Sequence, residues 1–435
     1  MKKLIILPLL LLSLSVGATK VYISPTGNDG TGNGSIGTPY YSPEKAWADV
    51  SAGDTIYVRG GTYQFTTRQD LTAKNGTSAN KIYILAYPGE KPVFTEHATY
   101  DRAVQGQLVF IDSDYLYVRG LDISGFEQTL GNRAWSAFFV DTTRYSTFEN
   151  ISYHDNGMSM QIQYCKNVLV LNCDFYRNYD PYGRTPYDGS SYAYNDADGL
   201  NIRNVAAGDT NIVRGCRFWS NADDGLDLWG NDGYQVIDRC WAWKNGYRED
   251  GTTTGGDGGG FKMGETVTLD TSVFAREITY CLSFANRTYG ITQNGAVCRH
   301  YVYNNTIFDN HDRGIYFGSG WGVARHIFRN NIAYGNDNYD DFIHDAVIET
   351  NNTWNGEVTV TPTDFRIITT EGMDAKRSPD GSLPTLGNFR LKEDSDLVNG
   401  GIDVGLTYDT YGHKITGTPD IGAMERGSYF MMTGK

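Results

Sequence analysis

A short motif returns at regular intervals along the middle of the chain and constrains its fold more than any other feature. Each copy ends in an asparagine that lies five residues after a position occupied by cysteine or asparagine. Those positions are Cys173, Cys216, Cys240, Cys281, Asn305 and Asn331, and the closing asparagines are Asn178, Asn221, Asn245, Asn286, Asn310 and Asn336. Ile151 with Asn156 extends the series upstream. A fixed period of this kind indicates a repeat architecture, which grows in one dimension.

The spacing of the copies predicts the size of one coil. From Ile151 the intervals are 22, 43, 24, 41, 24 and 26 residues. Three strands of about five residues and three short turns need about 22–24 residues, which is one coil of a parallel β-helix. The two long intervals contain inserted loops, at 179–196 and 246–259. We therefore predict an all-β solenoid in which residues 19–435 form one domain, with the clearest repeats at 121–345 and an irregular C-terminal wrap at 346–435.

The repeat also predicts which side chains point inward. A residue type that recurs at one coil position stacks on itself, so the cysteines and asparagines are expected to form interior ladders. The strand after each asparagine begins near a glycine, and alternation then points one column of side chains outward. That column is Ser159, Asn201, Asp227, Lys262, Thr292 and Tyr316. Neighbouring coils are about 4.8 Å apart, so Asp227 and Lys262 should be neighbours.

Both ends of the chain carry recognisable signals. Residues 1–18 have two lysines, an apolar run and small residues before a cleavage point, as in a secretory signal peptide. The protein is therefore expected to be exported to the periplasm, the cell surface or the medium, and no later segment is long enough to span a membrane. Ser42 and Pro43 are typical of a helix start. A helix there would cap the open end of the solenoid.

The charge balance limits the classes of molecule that the protein can bind. Lys and Arg number 37 and Asp and Glu 51, so the formal net charge is −14. A nucleic-acid binder needs a basic face, so that class is excluded. An acidic polysaccharide remains possible, because a bound cation can invert the local charge. A monomer is expected.

Aspartates concentrate beside the predicted insertions. The register places Asp198 and Asp224 at the same turn of neighbouring coils, with Asp223 and Asp227 close by. Four such carboxylates repel one another unless a cation binds, and an all-oxygen site suits Ca²⁺. The alternatives are a solvated acidic turn and a purely structural calcium site.

Lys262 lies one coil from this acidic cluster, among glycines that leave open space. An exposed lysine is usually only a solvated charge. Beside a cation its pKa falls, and a neutral amine can act as a base. A cation and a lysine base are the parts needed for β-elimination on a uronate, with the lysine removing the C5 proton and the C4–O glycosidic bond breaking.

These motifs together resemble the family 9 polysaccharide lyases. The resemblance rests on NDADGLN, NADDGLD and GFKMG, and on YISPTGNDG and AGDTIYVRGGTY near the N-terminus, and it covers about residues 20–345. It implies a right-handed parallel β-helix, a calcium site at Asp198, Asp223, Asp224 and Asp227, and Lys262 as the catalytic base. The implied substrate is pectic: homogalacturonan or rhamnogalacturonan I.

Two further residues are candidates for substrate binding. Tyr289 and Arg313 occupy the turn column of Asp198 and Asp224 farther along the helix, and Arg313 can pair with a substrate carboxylate. Two other functions stay open at this stage. A pectin hydrolase would use paired carboxylates and water, which leaves Lys262 without a role. A non-catalytic glycan-binding β-helix predicts that Lys262→Ala changes no chemistry.

Overall fold

The strands of this protein stack into three long parallel sheets. The computed structural model describes residues 17–100, 107–129, 136–182, 192–269, 271–318, 325–344, 347–356 and 358–426. Sheet 1 has 12 strands, and sheets 2 and 3 have 10 each. The first strand of the chain pairs with the second. From the second strand onward, each strand pairs with the strand three places later in the chain, so each of these coils contributes one strand to each sheet. The predicted parallel β-helix is confirmed.

The strands are numbered in chain order. Sheet 1 contains β1 (Lys20–Ile23), β2 (Thr55–Val58), β5 (Ile82–Ala86), β8 (Leu116–Arg119), β11 (Thr147–Glu149), β14 (Leu169–Leu171), β17 (Thr210–Arg214), β20 (Tyr234–Asp238), β23 (Phe274–Thr279), β26 (Arg299–Tyr303), β29 (His326–Arg329) and β32 (Val347–Thr350). Sheet 2 contains β4 (Gln69–Thr72), β7 (Leu108–Ile111), β10 (Ser136–Asp141), β13 (Met158–Gln163), β16 (Leu200–Arg203), β19 (Leu226–Trp229), β22 (Phe261–Lys262), β25 (Tyr289–Thr292), β28 (Arg313–Phe317) and β31 (Tyr339–Ile343). Sheet 3 contains β3 (Gly61–Phe65), β6 (Pro92–Glu96), β9 (Asp122–Ser124), β12 (Ser152–His154), β15 (Asp174–Tyr176), β18 (Arg217–Trp219), β21 (Trp241–Trp243), β24 (Leu282–Phe284), β27 (Thr306–Phe308) and β30 (Ile332–Tyr334).

The outward column on sheet 2 follows the predicted register with one exception. Asn201 pairs with Asp227, Asp227 with Lys262, and the column continues through Thr292 and Tyr316. The prediction for Ser159 was wrong, because Gln161 is the residue that pairs with Asn201.

The cause of this error is the position of one glycine. Gly157 directly follows its ladder residue Asn156, whereas Gly225 comes four residues after Asn221. Gly157 therefore belongs to the turn that precedes the strand. As a result, the residue that pairs with Asn201 lies two positions later in the chain than an alignment of the glycines predicts.

The two interior ladders are confirmed. The cysteines and asparagines of both columns are buried, and all six cysteines are free thiols. Asn245 shows the bonding pattern: its side-chain amide donates to Asn286 Oδ1 at 2.9 Å, and its own Oδ1 accepts from the Asn221 side chain at 3.0 Å. The Asn221 backbone N–H also donates to Asn245 Oδ1. Each asparagine thus satisfies buried polar groups of the coil beside it.

Removing one ladder residue should therefore destabilise the whole solenoid. Asn245→Ala leaves the Asn221 backbone N–H without its acceptor and opens a small cavity, so we expect a loss of about 2–4 kcal/mol in the free energy of unfolding. Urea unfolding followed by circular dichroism measures this. Asn80→Ala, at an exposed position, should change stability by less than about 0.5 kcal/mol. Equal effects of the two substitutions would contradict a stabilising ladder.

The N-terminal end of the core is covered as predicted. Helix α1 spans Pro43–Asp49, and the Ser42 side chain accepts a hydrogen bond from the Lys45 backbone N–H. Trp47 is buried and its indole N–H donates to Thr72 O at 3.0 Å. The predicted signal peptide falls almost wholly outside the described residues, which begin at residue 17. Within the described ranges, no helix is long and apolar enough to cross a membrane.

The C-terminal segment lies against sheet 3. The repeat persists to Thr350 in β32, and 3₁₀ helices follow at Thr353–Asn355 and Pro362–Asp364. Apolar residues of this segment, including Met373 and Phe389, pack on an outward aromatic row that contains Trp243. Arg377 reaches back to Asp174 Oδ1 at 2.7 Å. In its described part the segment after Thr350 contains no further strand of the three sheets, and it buries a face that would otherwise be apolar and exposed.

A buried acidic group in this wrap predicts how stability depends on pH. Burial, with the charge of Asp420 beside it, raises the pKa of Glu425 to about 8. The folded state therefore binds a proton that the unfolded state releases near its usual pKa of about 4.5, and stability falls as pH rises from about 4.5 through 8.

Glu425→Gln removes this titration, and glutamine can still accept the hydrogen bond from Tyr280 Oη. We expect the variant to be more stable than wild type by roughly 1–2 kcal/mol at pH 9, with little difference at pH 4.5. Thermal unfolding at the two pH values measures the change. A difference that is independent of pH would contradict the role of this carboxyl group.

Candidate active site

The acidic residues meet on sheet 2 because two turns of the same sequence stack. Asp198 and Asp224 each precede a glycine and a strand, and Leu200 of β16 pairs with Leu226 of β19. The Asp224 backbone N–H donates to Asp198 Oδ1 at 3.2 Å. A Cβ atom at Gly225 would lie 2.6 Å from the carbonyl oxygen of Gly260 on the next coil. The glycine thus allows close approach of the coils at this point.

Three of the four predicted aspartates form one group. Asp198, Asp223 and Asp224 are buried, and each offers a carboxylate oxygen within 4.8 Å of the other two. Asp227 is buried as well but is not part of this group. Its carboxylate faces the next coil, where Lys262 lies 3.7 Å away.

The electrostatics of the cluster are unfavourable in the absence of a cation. Burial, and then the charge of neighbouring carboxylates, holds the pKa of Asp198 and of Asp223 well above the usual range. Burial likewise raises the pKa of Asp227 to about 7, although Lys262 opposes the shift. Such a cluster favours any ligand that brings positive charge.

Lys262 lies directly against the acidic group. Its Nζ is 2.9 Å from Asp224 Oδ2, and its side chain is only 13% exposed. Burial alone would lower the pKa of Lys262, but the carboxylates of Asp224 and Asp227 outweigh it and hold the pKa well above the usual value. The predicted adjacency of Lys262 and the aspartates is thus present in the structure.

The sequence analysis missed one contact of this lysine. Asp257, in the inserted loop 246–259, places its carboxylate 2.9 Å from Lys262 Nζ. The loop is fixed on the cluster: the Asp257 N–H donates to Asp223 Oδ1, and the Gly259 N–H donates to Asp224 Oδ1, both at 2.5 Å. The only signal in the sequence was an isolated aspartate in a glycine-rich insertion that precedes Lys262.

The residues fit a hard cation. All donors in the group are carboxylate oxygens, which suit Ca²⁺. Two neighbouring oxygens, Asn201 Oδ1 and Asp227 Oδ1, are buried and have no hydrogen-bond partner among the described residues. Buried acceptors of this kind are costly unless something satisfies them. Asn201 is a second residue that the sequence analysis did not connect with the site.

A buried arginine holds the backbone beside Lys262. Arg276 donates from Nε to the carbonyl oxygen of Met263 at 2.7 Å, and from Nη1 to that of Gly233 at 2.8 Å. It is fully buried. Because β22 is only two residues long, these bonds fix the chain where it leaves the sheet. Sequence reasoning gave no signal for this contact.

The two predicted substrate-binding residues lie farther along the helix. Tyr289 pairs with Arg313 on sheet 2, in the turn column of Asp224. The guanidinium of Arg313 lies 4.7 Å from the ring centres of both Tyr316 and Phe342, and its Nη1 contacts Asp312 at 2.8 Å. Gly259 occupies the column between Asp224 and Tyr289, so neither candidate belongs to the metal group. They form a separate cationic and aromatic patch on the same face.

Comparison with known protein families shows to which family this chain belongs. The model of the Pel9A-like, right-handed β-helix region matches residues 21–352. The chain belongs to this family. The handedness implied by the resemblance is thereby confirmed.

Relatives along nearly the whole chain agree with the family. Pectate lyase L of Dickeya dadantii is 31% identical over 422 residues, which cover 93% of this chain and 90% of that protein. Pectate lyase PEL9 of Emericella nidulans is 30% identical over 418 residues, covering 89% and 96%. This member of the Pel9A-like family is a polysaccharide lyase.

Two solved structures share its shape. The crystal structure of pectate lyase Pel9A has a TM-score of 0.75 at 27% identity, covering 94% of this chain and 97% of that one. A rhamnogalacturonan lyase has a TM-score of 0.74 at 24% identity, covering 87% and 98%, and at this identity the likeness concerns the fold alone.

Proposed function

We propose that this protein cleaves the galacturonate-containing backbone of pectin by calcium-dependent β-elimination, with Lys262 as the base. One observation carries the proposal: the only lysine that contacts the acidic cluster in the described chain lies 2.9 Å from Asp224. The names of the relatives, which are pectate lyases, support the substrate class.

The reaction needs no water nucleophile. When a bound cation offsets the carboxylate charge, the Lys262 amine can lose the proton that the aspartates otherwise hold on it. Neutral Nζ then accepts the proton from C5 of the uronate, and the electron pair of the C–H bond forms a C4–C5 double bond. The C4–O glycosidic bond breaks, and the departing oxygen takes a proton from solvent. The products are a chain with a 4,5-unsaturated uronate at its non-reducing end and a chain with a new reducing end.

Asp198, Asp223, Asp224 and Asp227 are the residues that we assign to hold calcium. When bound, calcium supplies positive charge for the uronate carboxylate and for the anion that develops at C5. The backbone bonds of the 246–259 loop to Asp223 and Asp224 orient these two side chains in advance. Preorganised ligands lower the cost of binding.

We assign Tyr289 and Arg313 to the binding of sugars away from the cleaved bond. Arg313 offers charge for a carboxylate, and the surrounding rings offer surface for a pyranose. The mature enzyme acts outside the cytoplasm, as the predicted signal peptide requires. The polymer that it meets there is either homogalacturonan or rhamnogalacturonan I, since both carry galacturonate.

Ultraviolet absorbance of the conjugated C4–C5 double bond tests the proposal. Purified protein is incubated with polygalacturonate and, separately, with rhamnogalacturonan I, each with calcium or with chelator. A rise in absorbance that requires calcium is the expected result, and the faster polymer identifies the substrate. New reducing ends without absorbance would instead indicate hydrolysis. No product from either polymer would overturn the proposed function.

A further inference from the structure

One tryptophan stands open to solvent beside the cluster. Trp229 ends strand β19, two residues after Asp227, so both side chains point to the outer face of sheet 2. The residue is 43% exposed, more than any other tryptophan in the described ranges. Leu226 and Leu228 of the same strand point inward and are buried. A large apolar ring is therefore held on the surface by a well-packed strand.

A positive charge lies on this ring. Arg203 is the partner of Trp229 on the preceding coil, and its guanidinium carbon is 4.4 Å from the indole centre. The stacking fixes the guanidinium against the sheet, one strand position beyond Ile202. The guanidinium lies close enough to Asp227 to lower the pKa of that carboxyl group. In a protein of net charge −14, this cation offers a place for an anionic group that the acidic residues of the same face would repel.

The other neighbour of Trp229 leaves space. The offset that pairs Asp227 with Lys262 places Gly264 opposite Trp229 on the following coil, and the bond from Asn231 N–H to Glu265 O continues the same offset. A Cβ atom at Gly264 would lie 1.8 Å from Asn294 O. Position 264 therefore offers no side chain that could cover the indole, and Arg203 is the described cation that lies over its ring.

We propose that Trp229 and Arg203 form a sugar subsite next to the cleavage position, which binds a pyranose ring of the acidic polysaccharide. The inference rests on the proposed function for the identity of the polymer. The C–H face of a pyranose packs on the open part of the indole, and the guanidinium of Arg203 binds a uronate carboxylate. Both polymers considered above supply these two groups.

Trp229 lies close enough to the acidic cluster for a sugar bound there to belong to the same polysaccharide chain as the sugar that reacts. Asp227 and Trp229 lie on one strand, and Lys262 lies one coil away from Asp227. A sugar bound at Trp229 is thus close to one bound at the acidic cluster. Binding energy gained there orients the chain for proton removal.

Binding without turnover tests the subsite independently of the proposed reaction. In a Lys262→Ala background, isothermal titration calorimetry with oligogalacturonate and with rhamnogalacturonan I oligosaccharides compares Trp229→Ala, Trp229→Phe and Arg203→Gln. We expect affinity to fall about tenfold for Trp229→Ala and by a smaller factor for Trp229→Phe. Affinity should also fall for Arg203→Gln, and the affinity of this variant should depend less on salt concentration than that of the parent.

A control lies on the C-terminal wrap. Tyr408 is 50% exposed and belongs to the segment that follows the last strand of the three sheets, so Tyr408→Ala should leave affinity unchanged. Circular dichroism and the Tm confirm that each variant is folded. Weaker binding of either oligosaccharide supports the subsite and names its polymer. Unchanged affinity of folded Trp229→Ala for both overturns it, whether or not the parent enzyme shows lyase activity.

Discussion

Replacing Lys262 with alanine is expected to lower the turnover of pectic substrate by about 10²–10⁴-fold, the range contributed by a positioned general base. The substitution removes Nζ from its place 2.9 Å from Asp224 and Asp257. Initial rates of absorbance increase, at saturating polymer and calcium, measure the change. The KM should move much less than kcat, because the lost interaction acts in the transition state.

The fold should survive this change. Lys262 points outward from a coil whose inward neighbours, Phe261 and Met263, remain in the core. Loss of a cation from a crowded acidic cluster would lower the Tm in chelator, and calcium should restore it. Lys244→Ala is the matched control, because Lys244 is exposed on another coil turn and should keep wild-type turnover. Normal kcat for Lys262→Ala would exclude the lysine as base and favour the hydrolase or binding alternatives.

Neutralising one aspartate of the cluster should stabilise the calcium-free protein but strongly lower its turnover in calcium. Asp223→Asn removes one buried charge and keeps the oxygen that accepts from the Asp257 N–H. The raised pKa of Asp223 means that its ionised form destabilises the fold, increasingly as pH rises above about 4. With an unfolding entropy of about 2.1 cal/mol/K per residue, a gain of about 1 kcal/mol shifts the Tm of a domain of roughly 400 residues by about 1 °C. In chelator at pH 8 we therefore expect a rise of about 1–2 °C.

In the presence of calcium, wild type should have a higher Tm than Asp223→Asn. Calcium should raise the Tm of wild type, because the cation binds the folded state, and should raise that of Asp223→Asn only slightly. The turnover of Asp223→Asn should be reduced by about 100-fold or more, comparable to the loss of a major electrostatic contribution. Differential scanning calorimetry in chelator and in calcium, together with the absorbance assay, measures both effects. Asp112→Asn, whose carboxyl group is 63% exposed, should change neither. A full calcium-induced Tm shift in Asp223→Asn would contradict the assignment of this residue as a ligand.

Asp223→Asn is expected to stabilise the protein without calcium and to destabilise it relative to wild type with calcium, because the site brings buried carboxylates together. Burial and mutual repulsion make the carboxylates costly, as the raised pKa values of Asp198 and Asp223 show. Packing of the coils supplies the energy that holds them together. The cluster is thus poised for a cation before any cation arrives, which is the condition for a strong and specific site.

Much of the fold could be read from the sequence because a β-helix repeats its contacts. Each inward residue stacks on the equivalent residue one coil away, so Cys240 and Asn245 belong to columns of small or polar residues that the sequence repeats. The same regularity placed Asp227 beside Lys262, 35 residues away in sequence, and aligned Tyr289 with Arg313. Strand periodicity and coil length are local properties, and a single sequence expresses them.

Where the chain leaves the repeat, only the tertiary structure decided the contacts. The turn at Gly157 moved Gln161 into the place expected for Ser159. Asp257 meets Lys262 because the inserted loop folds back onto Asp223 and Asp224, a path that no periodicity encodes. Arg276 reaches Met263 across the end of a two-residue strand.

Sequence alone thus determined the solenoid, its N-terminal cap, and the alignment of the aspartates with Lys262. Tertiary structure determined which carboxylates form one group, which loop closes over them, and where Trp229 stays open. The physical reason is that stacking between coils follows from a short repeated pattern, whereas loop contacts and solvent exposure depend on how distant segments close around one another.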